Sequence, residues 1–172
     1  MMNNQRVLPF APGCEAGFNE QITAEMQAFY QYRAIAYYFS RHDVAFKNVA
    51  AKFNAMALEE LEHANVLSHY LQSRGGVVKH MALVAPKLPE TLSLVQAFEL
   101  AFTMEKTIHM QLRALYQQVV DAQEAQCAGF LEDEFLTEQV AAEDELMRVI
   151  SMLKRMGTGL GEELFDQKLE SK

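Results

Sequence analysis

Residues 75–90 read GGVVKHMALVAPKLPE, with two adjacent glycines at one end and two prolines near the other. This stretch cannot continue a helix: Gly75-Gly76 end one, while Pro86 and Pro89 fix φ and remove backbone donors. Its sixteen residues, mostly extended at about 3.3 Å each, reach roughly 50 Å. A helix of about thirty residues is roughly 45 Å long, so this link can run the full length of such a helix.

On either side, glycine and proline are scarce and long helical patterns predominate. The pattern predicts helix A at about 14–40, helix B at about 44–73, helix C at about 92–121, helix D at about 125–156 and a short helix E at about 160–169. Arg41-His42-Asp43 supplies a tight turn between A and B, with Asp43 as the expected N-cap of B, and Asp121 to Glu124 do the same between C and D. Connections that run short, long, short define an all-α four-helix bundle with one long crossover between helices B and C, plus a short C-terminal fifth helix. The chain, 1–172, reads as a single domain, with residues 1–10 expected to form a flexible leader.

Composition narrows the function. A formal net charge of −8, from 23 acidic and 15 basic residues, argues against a nucleic-acid surface and is compatible with solubility or with attraction of cations, depending on where the acids sit. Cys14 and Cys127 are too few for a disulfide framework and match no zinc spacing, so a reducing, cytoplasmic compartment is expected and neither thiol is expected to be structural. No apolar run approaches the roughly 18 residues of a membrane span.

Each long helix carries a seam of three- and four-residue steps, the pattern that turns one stripe toward a bundle axis. Helix A runs Ile22, Glu25, Phe29, Tyr32, Ala36, Phe39; helix B runs Val49, Phe53, Met56, Glu60, His63, Leu67, Tyr70. Helix C runs Leu94, Phe98, Ala101, Glu105, Ile108, Leu112, Leu115, Val119, and helix D runs Phe135, Gln139, Ala142, Leu146, Val149, Leu153. Glu25, Tyr32, Glu60, His63, Glu105 and Gln139 therefore point inward. Three carboxylates on apolar seams that hold no lysine would cost several kcal/mol each if charged and unpaired, so a cation is expected among them. Glu60 and His63 form an E-x-x-H pair on one helix face, and oxygen-rich ligation with an imidazole favours Fe or Mn over thiolate-loving metals. Glu60 is placed to bridge two ions. Helix D offers Gln139-x-x-Ala142 where a symmetric site would repeat E-x-x-H, so a tighter position at Glu25, Glu60 and His63 is expected beside a looser one at Glu60, Glu105 and Gln139.

These residues, in this order, resemble a ferritin of the heavy-chain type. The likeness runs from about Phe18 to Leu169 and includes Glu59-Glu60-Leu61-Glu62-His63-Ala64, Ser73-Arg74-Gly75-Gly76, Met104-Glu105-Lys106, Glu138-Gln139-Val140 and Leu164-Phe165-Asp166. The resemblance implies a ferroxidase: two irons per centre held by Glu25, Glu60, His63, Glu105 and Gln139, Tyr32 beside the centre, and Glu59 as an acid of iron transit. It further implies Fe(II) and dioxygen or peroxide as substrates, a Fe(III) mineral core, no haem, and a homo-oligomeric 24-subunit shell with helix E at its fourfold contacts. Leu61 stands where a bacterioferritin carries its haem-ligating methionine.

Two departures bear on iron traffic. The threefold-channel acid pair is represented by Glu132 with Gly129 in place of the other acid, and of the cavity-facing nucleation acids Glu59 and Glu62 remain while Asn65 replaces the third. His109, four residues after Glu105, falls off the seam and is not expected to be a ligand. A silent shell subunit would lack the ligand set. A non-storing di-iron oxidase would favour a second E-x-x-H and need no helix E.

Overall fold

The structure is a computed structural model and describes residues 10, 11 and 13–170. The expected leader lies outside the described residues, apart from Phe10, which is buried and packs edge-on against Phe18. The helices are α1 (Cys14–Phe39), α2 (Lys47–Ser73), α3 (Leu94–Asp121), α4 (Ala125–Leu131), α5 (Thr137–Met156) and α6 (Leu160–Glu170). A π-helical turn, Glu132–Leu136, joins α4 to α5 without leaving helical backbone angles. The helix expected over 125–156 is thus one rod with a widened turn. In that turn the Thr137 N–H bonds back five residues to the Glu132 carbonyl, which also accepts from Thr137 Oγ1 at 3.2 Å.

Local chemistry sets the helix ends. α2 stops in a Schellman motif: Gly75, at φ 74°, donates to the Gln72 carbonyl and Gly76 to the Leu71 carbonyl. A Cβ on Gly76 would lie 2.3 Å from a Leu71 methyl, so both glycines are needed there. α3 opens on a capping box, in which Ser93 Oγ accepts from the Gln96 N–H and Gln96 Oε1 accepts from the Ser93 N–H.

The crossover follows α1 from end to end. Asn19 holds it at Val77 and Lys79, the Gln27 amide both donates to and accepts from the Val84 backbone, and Tyr38 Oη accepts from the Leu92 N–H. α1 therefore pairs antiparallel with α2, and the chain is delivered to the far end before α3 begins. The closest packing is α1 on α2, followed by α3 on α5 and α1 on α3, which leaves the seam between α2 and α5 the loosest. All eight seam positions expected on helix C are buried. Phe29, His63, Tyr70, Ala142 and Val149 are only half-buried, and three of these five line the α2–α5 gap. Cys14 and Cys127 are free thiols, fully buried in the core.

Asp43 does not cap α2. Its carboxylate is taken by Arg41, and the helix begins at Lys47 behind Phe46, which has no capping side chain. The cap comes from α6 instead. Asp166 Oδ1 accepts from the backbone N–H groups of Asn48 (3.0 Å) and Val49 (2.8 Å), and its Oδ2 accepts from Asn48 Nδ2 (3.1 Å). A buried aspartate satisfying the open end of another helix locks α6 onto the bundle, next to Phe165 packed edge-on to Phe98. The outer face of α6 leaves Leu160 and Leu164 exposed. Replacing Asp166 with Ala is expected to cost about 1–2 kcal/mol, read as a lower denaturant midpoint by circular dichroism, whereas Asp166→Asn, which keeps the acceptor oxygen, loses less.

Candidate metal centre

Every residue expected inside is brought to the middle of the bundle. Glu25, Tyr32, Glu60, Glu105 and Gln139 are buried, Glu25 and Tyr32 completely, and His63 is half-buried on the α2 side. One oxygen each of Glu25 and Glu60 and one ring nitrogen of His63 lie within 4.8 Å of one another. That triad comes from α1 and α2, the most tightly packed pair of helices. The Glu105 and Gln139 half comes from α3 and α5 and is organised differently. Tyr32 Oη donates to Glu105 Oε1 at 2.5 Å, while Gln139 Nε2 donates to Glu105 Oε2 at 2.5 Å and to the Glu105 carbonyl at 3.0 Å.

The two halves thus differ in what they leave open. Both Glu105 oxygens already hold donors. On the other side Glu25 Oε1 accepts from Gln21 Nε2 at 2.8 Å, and Glu25 Oε2 is buried with no donor. Its neighbour is Glu60, another carboxylate, so the two acids stay close only if a carboxyl keeps a proton or a cation arrives. Burial, and secondarily the Glu60 charge, pushes the Glu25 carboxyl well above its usual range. Burial and Glu105 do the same to Glu60, and burial with Glu105 keeps the Tyr32 phenol protonated. Glu60 thereby lies under the influence of both Glu25 and Glu105.

The chemistry of this set suits a hard or borderline divalent cation: carboxylate oxygens, one imidazole, and an orphaned buried oxygen that only a cation or a proton can satisfy. A cavity of about 250 Å³ reaches the cluster through the loose α2–α5 seam. Its rim carries Glu59 and Glu138 at one end, and Lys52 paired to Glu145 at 2.9 Å at the other. His63 is held between two acids, with Nδ1 3.3 Å from Glu60 Oε2 and Nε2 3.3 Å from Glu138 Oε2. Glu59 also lies against Glu138, and burial followed by the Glu138 charge raises its carboxyl.

Glu62 and Glu132, the latter in the π turn, are exposed and stand apart from the buried cluster, while Glu59 sits on its rim, open to solvent on one side and desolvated by its neighbours on the other. His109 pairs with Glu143 across α3 and α5 at 2.6 Å and does not enter the cluster. Two contributors escape the seam reading. Gln21 carries a signal in its position, four residues before Glu25 on the same face. Glu138 precedes a seam residue, and only the gap between α2 and α5 brings it to His63.

A bundle with one long crossover and a carboxylate–histidine cluster on facing helices defines a carboxylate metal protein of the ferritin-like class. The family described as a ferritin-like domain matches residues 15–156. Similar proteins include soma ferritin of Lymnaea stagnalis, 40% identical over 154 residues covering 90% of this chain and 88% of that protein. Ferritin-2 heavy chain of Schistosoma mansoni is 38% identical over 158 residues, 92% of each, and chloroplastic ferritin-3 of Arabidopsis thaliana is 39% identical over 164 residues, 93% of this chain but 63% of that protein. The chain therefore spans less than two thirds of the plant relative and most of the animal ones. It belongs to the ferritin family.

Because the folded acids hold protons that the unfolded chain releases nearer pH 4.5, the folded state binds more protons across the interval up to the raised values. Their contribution to the metal-free fold is therefore greatest at acid pH and falls as pH rises through that interval. Cation binding displaces the same protons. Co(II) added to metal-free protein near pH 7 in weak buffer is expected to acidify the solution, less so for Glu25→Gln; an unchanged pH in the unmodified protein would contradict this electrostatic description.

Proposed function

We propose that this chain is a ferroxidase-competent subunit of an iron-storing shell. Iron storage accords with the family to which it belongs. The catalytic reading is carried by one observation: three buried glutamates and a histidine converge with no basic partner inside the cluster and one carboxylate oxygen without a donor. Fe(II) is the substrate cation such a set would draw in and oxidise, one electron leaving each iron for dioxygen or peroxide. Glu25, Glu60 and His63 would hold one iron. Glu60, with Glu105 and Gln139, would hold the other more weakly, since Glu105 must first give up bonds to Tyr32 and Gln139. Tyr32 keeps Glu105 oriented and its own proton in place.

The rim suggests the direction of traffic. Cations are attracted to the acidic end at Glu59 and Glu138, while at the other end Lys52 and Glu145 neutralise each other. Glu132 supplies an acid at the point where iron would enter the shell, and Glu59 and Glu62 face the volume where mineral would form. A 24-subunit homo-oligomer is the assembly this reading favours, with Leu160 and Leu164 of α6 as apolar surface for its contacts. Among the described residues no helix is long and apolar enough to cross a membrane, and the two free cysteines fit a reducing cytoplasm.

Aerobic addition of Fe(II) to metal-free assembled protein, followed by Fe(III) absorbance, tests the proposal. The unmodified chain is expected to show a fast phase that saturates near about two irons per subunit, absent from both His63→Ala and Glu60→Ala. Identical traces from all three proteins would leave the chain a passive shell subunit.

A further inference from the structure

The metal-site reading leaves one buried amide without a role. Gln21, one turn before Glu25 on α1, is 2% exposed, and its Nε2 donates to Glu25 Oε1 at 2.8 Å. A buried amide is tolerated only where it is hydrogen-bonded, and this one spends its donor on a carboxylate of the cluster. Its other side lines a second cavity, of about 170 Å³, between α1 and α3. Glu20, Gln111 and Gln118 make that cavity polar, and Gly17 and Leu115 close it. A polar cavity of this size accommodates ordered water that can satisfy the amide from behind. Gln21 is therefore the wall between a polar cavity and the deepest ligand of the site.

Resting on the metal-site reading above, we infer that Gln21 is a positioning residue: it commits Glu25 Oε1 to its amide and leaves Oε2 as the single oxygen offered to a cation. A carboxylate held this way binds through one oxygen. Freed of the amide, it can turn and present both oxygens, which raises the coordination number of the ion and loosens its placement against Glu60 and His63. The effect belongs to the α1–α2 half of the site, because Glu105 takes its donors from Tyr32 and Gln139.

The test uses Co(II) as the probe with metal-free, assembled protein, comparing the unmodified chain with Gln21→Leu and the near-isosteric Gln21→Met. Calorimetry reads the affinities and the visible d–d bands read coordination. Loss of a hydrogen-bond partner behind a ligand weakens metal affinity by roughly 10- to 100-fold. The tighter Co(II) event is expected to weaken by that factor and its d–d bands to lose intensity, with the weaker event unchanged; the lost hydrogen bond also lowers the thermal midpoint of Gln21→Met, so affinities are compared at a temperature where circular dichroism shows both proteins fully folded. Unaltered affinities and bands in Gln21→Met would overturn the inference. Failure of the metal-site reading looks different, as no Co(II) binding by the unmodified chain, and would remove the inference with it.

Discussion

A carboxylate taken out of water costs several kcal/mol unless a charge or a proton compensates it, and this bundle buries three, Glu25, Glu60 and Glu105, around one point. Much of the interior answers that constraint. Tyr32 and Gln139 satisfy Glu105, Gln21 satisfies half of Glu25, and His63 sits between Glu60 and the rim acid Glu138. Among the described residues, the buried side-chain oxygen that remains without a partner is Oε2 of Glu25. The polar cluster is also encased: Phe53 stacks on Phe39 and packs at a tilt against Phe98, and Phe135 closes edge-on against His63. Their low-dielectric walls strengthen every interaction between the charges inside.

Placing four helices so that their polar interruptions meet requires the right connectivity, which the crossover enforces. By carrying the chain along α1 before α3 starts, it sets Glu105 opposite Tyr32 and brings Gln139 in from α5. α6 then closes one end of the barrel of helices through Asp166. The same contact that orders α6 satisfies the start of α2, the helix that carries Glu60 and His63.

The architecture and the buried site were legible because both rest on periodicity. Helix C shows this best: a seam written at three- and four-residue steps buries at all eight positions, since a helix packed on two sides has only one way to face. The helix ends were less legible. Asp43 is a good N-cap by type, yet its neighbour Arg41 is closer in sequence and takes it, while the actual cap comes from 118 residues away. Local rules cannot anticipate a partner supplied by tertiary packing. Gln21 and Glu138 escaped for related reasons, one lying beside the seam and behind a ligand, the other reaching His63 across a gap that exists only because α2 and α5 pack loosely. The π turn left no composition signal at all.

That turn bears on how the site tolerates change in chain length. A π-helical turn accommodates one residue more than an α-helical turn, and Glu132–Leu136 lies directly ahead of Gln139. Removing one residue there would restore a regular α-helical turn and leave everything downstream close to its present phase, because five residues of π-helix turn through about the same angle as four of α-helix. Gln139 would stay turned toward Glu105, whereas the same deletion within the regular turns of α5 ahead of it would rotate it away by about 100°. The rod therefore holds, in five residues, one residue of slack between an acidic outer surface upstream and the buried Gln139 downstream. A one-residue deletion at this point would be absorbed, as it would be in the Gly75 to Glu90 crossover, while the same deletion elsewhere in the rod would act as a rotation.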